Sequence, residues 1–352
     1  MSENIERNCG TTEVSNNFLK DPNVRSRRMA IERSTLARSL VPPSLLGPTP
    51  VVTIPVVFHI VNTQEQDISD SQIASQINAL NLDFRMKNED LINIPDAFKP
   101  LAADSKIEFQ LAKRDPQGNP TNGITRTHTE KTVFSHINDD VKFNDQGGKN
   151  AWDTRKYLNI WVCNIGANIL GYATPPGMAP ENRDGVVLHT RCTGTEGNLF
   201  SDYNKGRTAT HEVGHYFDLY HIWGTFEAPQ PGNCSGSDNV ADTPNQKGAN
   251  FRDPQFPKIS CTNGPNGDMF MNYMDYVFDR CMFMFTHGQV QRMRSAIDGP
   301  RSSLKTSDAF IEPEARIFES SISSIDMVTE NEGSTMLFNG VEYVEPSKIF
   351  LL

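Results

Sequence analysis

A chain of 352 residues can bury a full hydrophobic core, and one large domain with appendages is the natural expectation. Its 37% hydrophobic and 22% charged residues are ordinary for a soluble protein, and its net charge of −10 argues against nucleic acid or an anionic membrane as partner. No run of about 18 apolar residues occurs, so no transmembrane segment is expected.

The opening, MSENIERNCGTTEV, is polar and lacks the apolar stretch of a signal peptide. Residues 1–48 read as a region apart: the basic run RSRRMAIERSTLARSL suits a helix, and the Pro-rich VPPSLLGPTP breaks it and reads as a linker. Residues 49–305 read as the main domain. A buried strand is expected at Val51–Val61. A helix follows, opened by Ser69 with Gln72 three residues on, a capping-box pattern. Ile73, Ile77 and Leu80 line its buried face. Further strands are expected at Ile107–Lys113, Tyr157–Asn164 and Gly185–His189. The run Ile169–Thr174, containing Gly171, Tyr172 and Ala173, reads as a sheet edge to which an extended peptide could add as a strand. This alternation predicts an α/β (α+β) fold with a twisted mixed sheet backed by helices. Residues 306–352 are acidic and Ser-rich and form an extension without an assigned role.

The strongest signal is HEVGHYFDLYH, His211 to His221. His211 and His215 are four residues apart, which on a helix puts both rings on one face. Two imidazoles so placed reach one tetrahedral zinc ion at about 2.0–2.1 Å. Glu212 leaves the helix beside them as a candidate general base, the pattern of a zinc protease. A straight helix would carry His221 about 15 Å from His211, so the chain must turn sharply between them. Asp218 stands where that pattern has Gly, and Asp tolerates the left-handed conformation the turn needs. Only 8 of the 352 residues are histidine, and three fall in this window. Downstream, MFMNYMDYVFDRC offers Met274 as an apolar floor under the imidazoles. Tyr276 offers a phenol for a developing oxyanion.

The chain resembles the pappalysin family of metzincin zinc endopeptidases. The matching stretches are TIPVVFHIV, LNIWVCN, LGYATPPG, GRTATHEVGHYFDLYHIWG and NYMDYVFDRCMFMFTHGQ, in the family's order. The resemblance implies a metzincin-type zincin with a backing helix and an active-site helix. It implies zinc on His211, His215 and His221, Glu212 as base, and Met274 and Tyr276 in a methionine turn. It also implies that residues 1–48 are a propeptide, because RNCG around Cys9 is similar to the family's cysteine switch, in which a thiolate fills the open zinc position. Protein or peptide substrates and secretion follow as expectations, with the oligomeric state open.

Six cysteines are present and none forms a C-x-x-C pair, so a second, structural zinc is not expected. Four of them, Cys192, Cys234, Cys261 and Cys281, allow three pairings, and sequence does not choose among these. The resemblance implies Cys234 with Cys261, which leaves Cys192 and Cys281 as the remaining pair. Calcium is expected on the loop GNCSGSDNVADTPN, through Asp238, Asp242 and Thr243. Relatives that cut before Arg or Lys are expected to carry an acid just after the residue equivalent to Cys281. Met282 stands there, so no strong preference for a basic residue is expected after the scissile bond, an apolar one being the suggestion, with Asp279 nearby acting the other way. The alternative to a peptidase is a zinc-stapled peptide-binding module or a non-proteolytic zinc hydrolase. Glu212 argues against the former, since a structural zinc has no use for a base.

Overall fold

The computed structural model describes residues 5–41, 49–63, 68–166, 169–224 and 234–312, and the backbone of 335–338 and 341–344. The Pro-rich stretch from 42 to 48 lies outside these. Two compact units result, Met1–Pro313 and Glu314–Leu352. The second contributes an antiparallel hairpin, Thr335–Phe338 with Val341–Val344. Among the described residues no helix is long and apolar enough to cross a membrane.

The first unit is organised by one long strand. β1 (Val52–Asn62) is 11 residues, about twice the usual length, and that length gives it two partners on one edge. Its first half pairs in parallel with β2 (Ile107–Leu111) and its second half with β3 (Ile124–His128). β4 (Leu158–Cys163) runs parallel along its other edge. β6 (Val186–His189) pairs in parallel with β4, and β5 (Gly171–Ala173) closes the sheet as an antiparallel edge. The near-continuous apolar run of β1 reflects burial on both faces. Ile54, Val56, Phe58 and Ile60 join the main core, while Val57 and Val61 join clusters on the opposite face.

The backing helix α3 (Asp70–Phe84) follows the apolar spacing and is capped by Ser69, whose side chain accepts from the Gln72 amide at 3.1 Å. The reciprocal half of the expected box does not form. The Gln72 side chain instead donates to Thr193 O at 2.8 Å, tying α3 to the loop after β6. The active-site helix α4 (Arg207–Tyr216) lies against α3 and over β5 and β6. A last helix, α5 (His287–Asp298), opens on a complete capping box between Thr286 and Gln289.

Two helices precede the sheet: α1 (Thr11–Phe18) and α2 (Pro22–Ser39). The basic run expected to be helical forms most of α2, which begins at Pro22 because Asp21 caps it, accepting from the Asn23 amide at 2.8 Å. Residues 306–312 do not separate from the first unit: buried Ala309 packs with Val57 and Tyr157, and its carbonyl accepts from Lys113 N at 2.8 Å.

Candidate active site and metal centre

α4 ends where the third histidine requires it to. The Asp218 amide donates to His215 O at 2.9 Å and the Leu219 amide to Gly214 O at 3.0 Å, a Schellman pattern. Asp218 takes the left-handed position, φ 77°. Its fully buried carboxylate is held by Arg292 from α5 at 3.1 Å and by Arg28 from α2 at 2.7 Å. The chain then returns His221 to the face carrying His211 and His215.

The imidazoles are oriented from behind. His211 Nδ1 lies 2.7 Å from Tyr273 O, and His215 Nδ1 lies 2.7 Å from Leu219 O. A carbonyl only accepts, so each Nδ1 carries the proton and each Nε2 presents a lone pair. His215 Nε2 is 3.1 Å from both His211 Nε2 and His221 Nε2. That spacing matches two ligands about 2.0–2.1 Å from one tetrahedral ion. Burial, and the neighbouring imidazoles, push His211 and His221 well below the ordinary histidine range, so the cluster is neutral and fit to bind a cation. His221 is also stacked on Trp223, ring centroids 4.5 Å apart, and faces the Tyr276 ring at 5.0 Å.

Met274 is fully buried under this group. A Cβ on Gly214 would lie 2.6 Å from the Met274 Sδ, so the helix approaches the methionine turn only because residue 214 has no side chain. The same holds for Glu212: a Cβ on Gly171 would meet its Cγ at 2.8 Å. Glu212 is therefore clamped between α4 and the edge strand. Burial raises its carboxyl to about 8, against hydrogen bonds from Cys9 and Thr11.

Those two residues come from the N-terminal segment, which runs along β5. Gly10 N donates to Gly171 O at 2.9 Å, Leu170 N donates to Asn8 O at 2.9 Å, and Cys9 forms a parallel bridge with Gly171. Cys9 Sγ belongs to one group with His211, His215 and His221, their ligand atoms all within 4.8 Å. Cys9 Sγ also lies 3.3 Å from Glu212 Oε2, and Thr11 Oγ1 donates to the same oxygen at 3.0 Å. Cys9 N donates to the Tyr276 hydroxyl at 3.2 Å. Burial first, then Cys9, drives the Tyr276 phenol well above its usual range, so it stays a proton donor.

Arg7, two residues earlier, fills a buried pocket that the sequence did not reveal. Its guanidinium donates to Asp279 Oδ1 at 2.5 Å, Val277 O at 3.1 Å and Thr208 Oγ1 at 3.3 Å, and lies over the Tyr203 ring. The acid in this pocket is Asp279. Met282 is fully buried in the main core, so the apolar preference expected from it has no basis in the geometry.

The cysteines divide differently from expectation. Cys234 and Cys261 form a disulfide. Cys192 and Cys281 do not pair: both are free thiols. Cys192 packs with Leu170, Phe200, Tyr203 and Phe278 beside the Arg7 pocket, whereas Cys281 Sγ turns away to donate to Asp253 at 2.9 Å.

The expected calcium residues also separate. Asp242 caps α5, accepting from Thr286 Oγ1 at 2.7 Å and from the Gly288 amide at 2.8 Å. Asp238 and Thr243 stay together: the Thr243 hydroxyl lies 2.8 and 2.9 Å from the Asp238 oxygens and 3.0 Å from Val240 O. Burial raises the Asp238 carboxyl to about 7. These oxygens are satisfied by one another, and Asp242 is engaged with α5.

A mixed sheet with an antiparallel edge strand, a helix carrying two histidines and a glutamate, a third histidine past a left-handed turn, and a methionine beneath define a zinc metalloendopeptidase of the metzincin type. The family model Peptidase_M43, described as Pregnancy-associated plasma protein-A, matches residues 141–298. An extracellular metalloprotease of Pyricularia oryzae is 30% identical over 302 residues, covering 84% of this chain and 90% of the relative. Mature mirolysin of Tannerella forsythia, solved with a cleaved peptide, is 55% identical with a TM-score of 0.71, covering 73% of this chain and 97% of that one. A promirolysin mutant from the same organism is 48% identical with a TM-score of 0.77, covering 85% and 97%. The chain belongs to the pappalysin family.

Proposed function

We propose that this chain is the secreted zymogen of an endopeptidase that cuts before arginine, kept latent by its own N-terminal segment. The single observation that carries the reading is the way residues 7–11 meet every working part of the site at once. Residues 1–48 would be the prosegment, 49–312 the catalytic domain and the remainder to 352 an extension.

His211, His215 and His221 would hold the zinc, which when bound supplies Lewis-acid polarisation of the scissile carbonyl and an acidified water. Glu212, held against Gly171, takes the proton of the attacking water and delivers it to the leaving amine. Tyr276, a protonated phenol facing His221, donates to the oxyanion. The substrate lies along β5, whose Gly171–Ala173 backbone the N-terminal segment uses in this structure.

In the zymogen, Cys9 Sγ would join His211, His215 and His221 in holding the zinc, and Thr11 engages the Glu212 carboxylate. Burial and the charge of Glu212 push the Cys9 thiol up, and a bound zinc would supply the positive charge that favours its thiolate. The Asp279 pocket accepts an arginine because Arg7 already sits there. Once the prosegment leaves, the buried carboxylate needs a cation in its place. Calcium would bind at Asp238, Thr243 and Val240 O. Export fits relatives that are named extracellular metalloproteases.

The test uses full-length protein activated by limited trypsin digestion, the trypsin then blocked by a serine-protease inhibitor. Quenched peptides with Arg after the central bond should be cut and matched Leu peptides left intact. Chelator should stop the reaction, as should Glu212→Ala in protein that still holds one zinc. Activated, folded, zinc-loaded protein that cuts neither peptide nor casein would favour the binding-module or other-hydrolase alternative.

A further inference from the structure

We infer that Arg252 is a specificity-determining residue, whose guanidinium recognises an acidic substrate side chain beside the arginine in the Asp279 pocket. The inference rests on the peptidase reading above.

The prosegment places two adjacent charges in this part of the cleft. Arg7 enters the pocket, and Glu6 meets Arg252, its Oε1 accepting from Nη2 at 2.9 Å and from Nε at 3.2 Å. Arg252 lies on a two-residue strand (Phe251–Arg252) paired in parallel with Tyr276–Val277, and its register partner is Val277. The Val277 carbonyl is the one that accepts from Arg7 Nε. The backbone carrying Arg252 is thus one strand spacing, about 4.8 Å, from the pocket wall. Its carbonyl accepts from the Phe278 amide at 3.0 Å, which fixes it there.

Two further observations point to a ligand. Arg252 holds φ 63°, a left-handed conformation that glycine adopts freely and a long side chain does not. A side chain kept in that position has work to do. The surrounding acids are already committed: Asp202 and Asp253 to Arg280, and Asp279 to Arg7. Among the described residues, Glu6 is the one carboxylate paired with Arg252. Departure of the prosegment therefore leaves an exposed guanidinium on the cleft rim without an acid of its own. A peptide with arginine in the pocket presents its neighbouring side chain to that guanidinium.

The pair is half exposed on both sides, so its effect is modest, about threefold in rate. Peptides sharing one sequence, with Arg after the scissile bond and Glu, Ala or Lys at each of the next two positions, give the readout. With trypsin-activated full-length protein, kcat/KM should fall from Glu to Ala to Lys by about threefold per step at one of those positions. The difference should arise in KM and shrink at about 1 M salt. Arg252→Asn, which tolerates positive φ, should flatten the order, and Arg252→Glu should reverse it. The Ala peptide should be cut equally by all three enzymes, which separates specificity from damage. Indifference of the wild type to the neighbouring charge, or an order that persists in both variants, overturns the inference alone. Failure to cut any Arg peptide overturns the peptidase reading and this inference with it.

Discussion

Removing the Arg7 guanidinium should release the prosegment without touching the catalytic unit. Arg7 is 2% exposed, its carboxylate partner is fully buried, and it makes three hydrogen bonds across the interface. Deleting one partner of such a buried pair costs about 3–5 kcal/mol, because the other charge is left without a counter-ion. Asp279 keeps the Lys205 amide at 2.8 Å and the Arg207 amide at 3.4 Å, so the low end applies. About 3 kcal/mol is roughly a hundredfold in the docking equilibrium. The assay adds a peptide spanning residues 5–41 to activated enzyme and compares its Ki with that of the Arg7→Ala peptide. The Ki should rise about a hundredfold, and the same comparison on Asp279→Asn enzyme should show little difference, closing a double-mutant cycle. A Ki for Arg7→Ala within threefold of the parent peptide would refute the claim that this pocket anchors the prosegment.

A Cβ at position 171 would lie 2.8 Å from Glu212 Cγ and 3.0 Å from Val187 O, so Gly171→Ala must displace the base. The kcat of activated enzyme should fall by up to about a hundredfold, and an unchanged kcat would show that Glu212 is not held by the edge strand. Arg28→Ala in the inhibitory peptide should weaken docking on enzyme carrying Asp218 and have little effect on Asp218→Gly enzyme. Equal losses on both would refute the pairing. Burial alone would raise the Asp90 carboxyl, but the hydrogen bonds and charge of Arg207, at the start of α4, hold it at about 2. A depressed folded pKa contributes stability above the unfolded value near 3.8, and that contribution is lost as pH falls toward 2. Asp90→Asn should therefore lower the melting temperature at pH 7 and make little difference at pH 2.

What could be read in the sequence was what chain spacing alone dictates. The four-residue step from His211 to His215 is a property of any helix, and the need for a turn before His221 follows from helical rise. The strands beginning at Val52, Ile107, Leu158 and Val186 start within one residue of the expected Val51, Ile107, Tyr157 and Gly185, because apolar runs bounded by polar residues mark them. α5 opens on a capping box between Thr286 and Gln289, inside the stretch that ends the family match. β3 hides because its residues are half exposed and make no long apolar run. The pocket for Arg7 was out of reach for another reason: Arg7 and Asp279 are 272 residues apart, and no local pattern announces such a pair. The Cys192–Cys281 pairing failed because counting cysteines says nothing of where their side chains point.

Asp218 shows how one departure from a pattern gains meaning only in three dimensions. As a helix end it is a poorer choice than glycine, because a Cβ at φ 77° costs conformational energy. A side chain there must repay that cost, and the carboxylate does so by receiving two guanidiniums. Arg292 also donates to the Asp218 carbonyl at 2.5 Å, so it holds both backbone and side chain of the turn between His215 and His221. Arg28 comes from the prosegment, and Glu32 on the same helix pairs with Arg292. The two helices thus meet through alternating charges, Arg28–Asp218–Arg292–Glu32, on the turn that carries the third histidine. If residues 1–48 act as the proposed prosegment, latency has two separable parts. Residues 7–11 would occupy the chemistry with Arg7 as one anchor, and the charge pairs of α2 would add a second. Glycine at 218 would preserve the first part and forfeit much of the second.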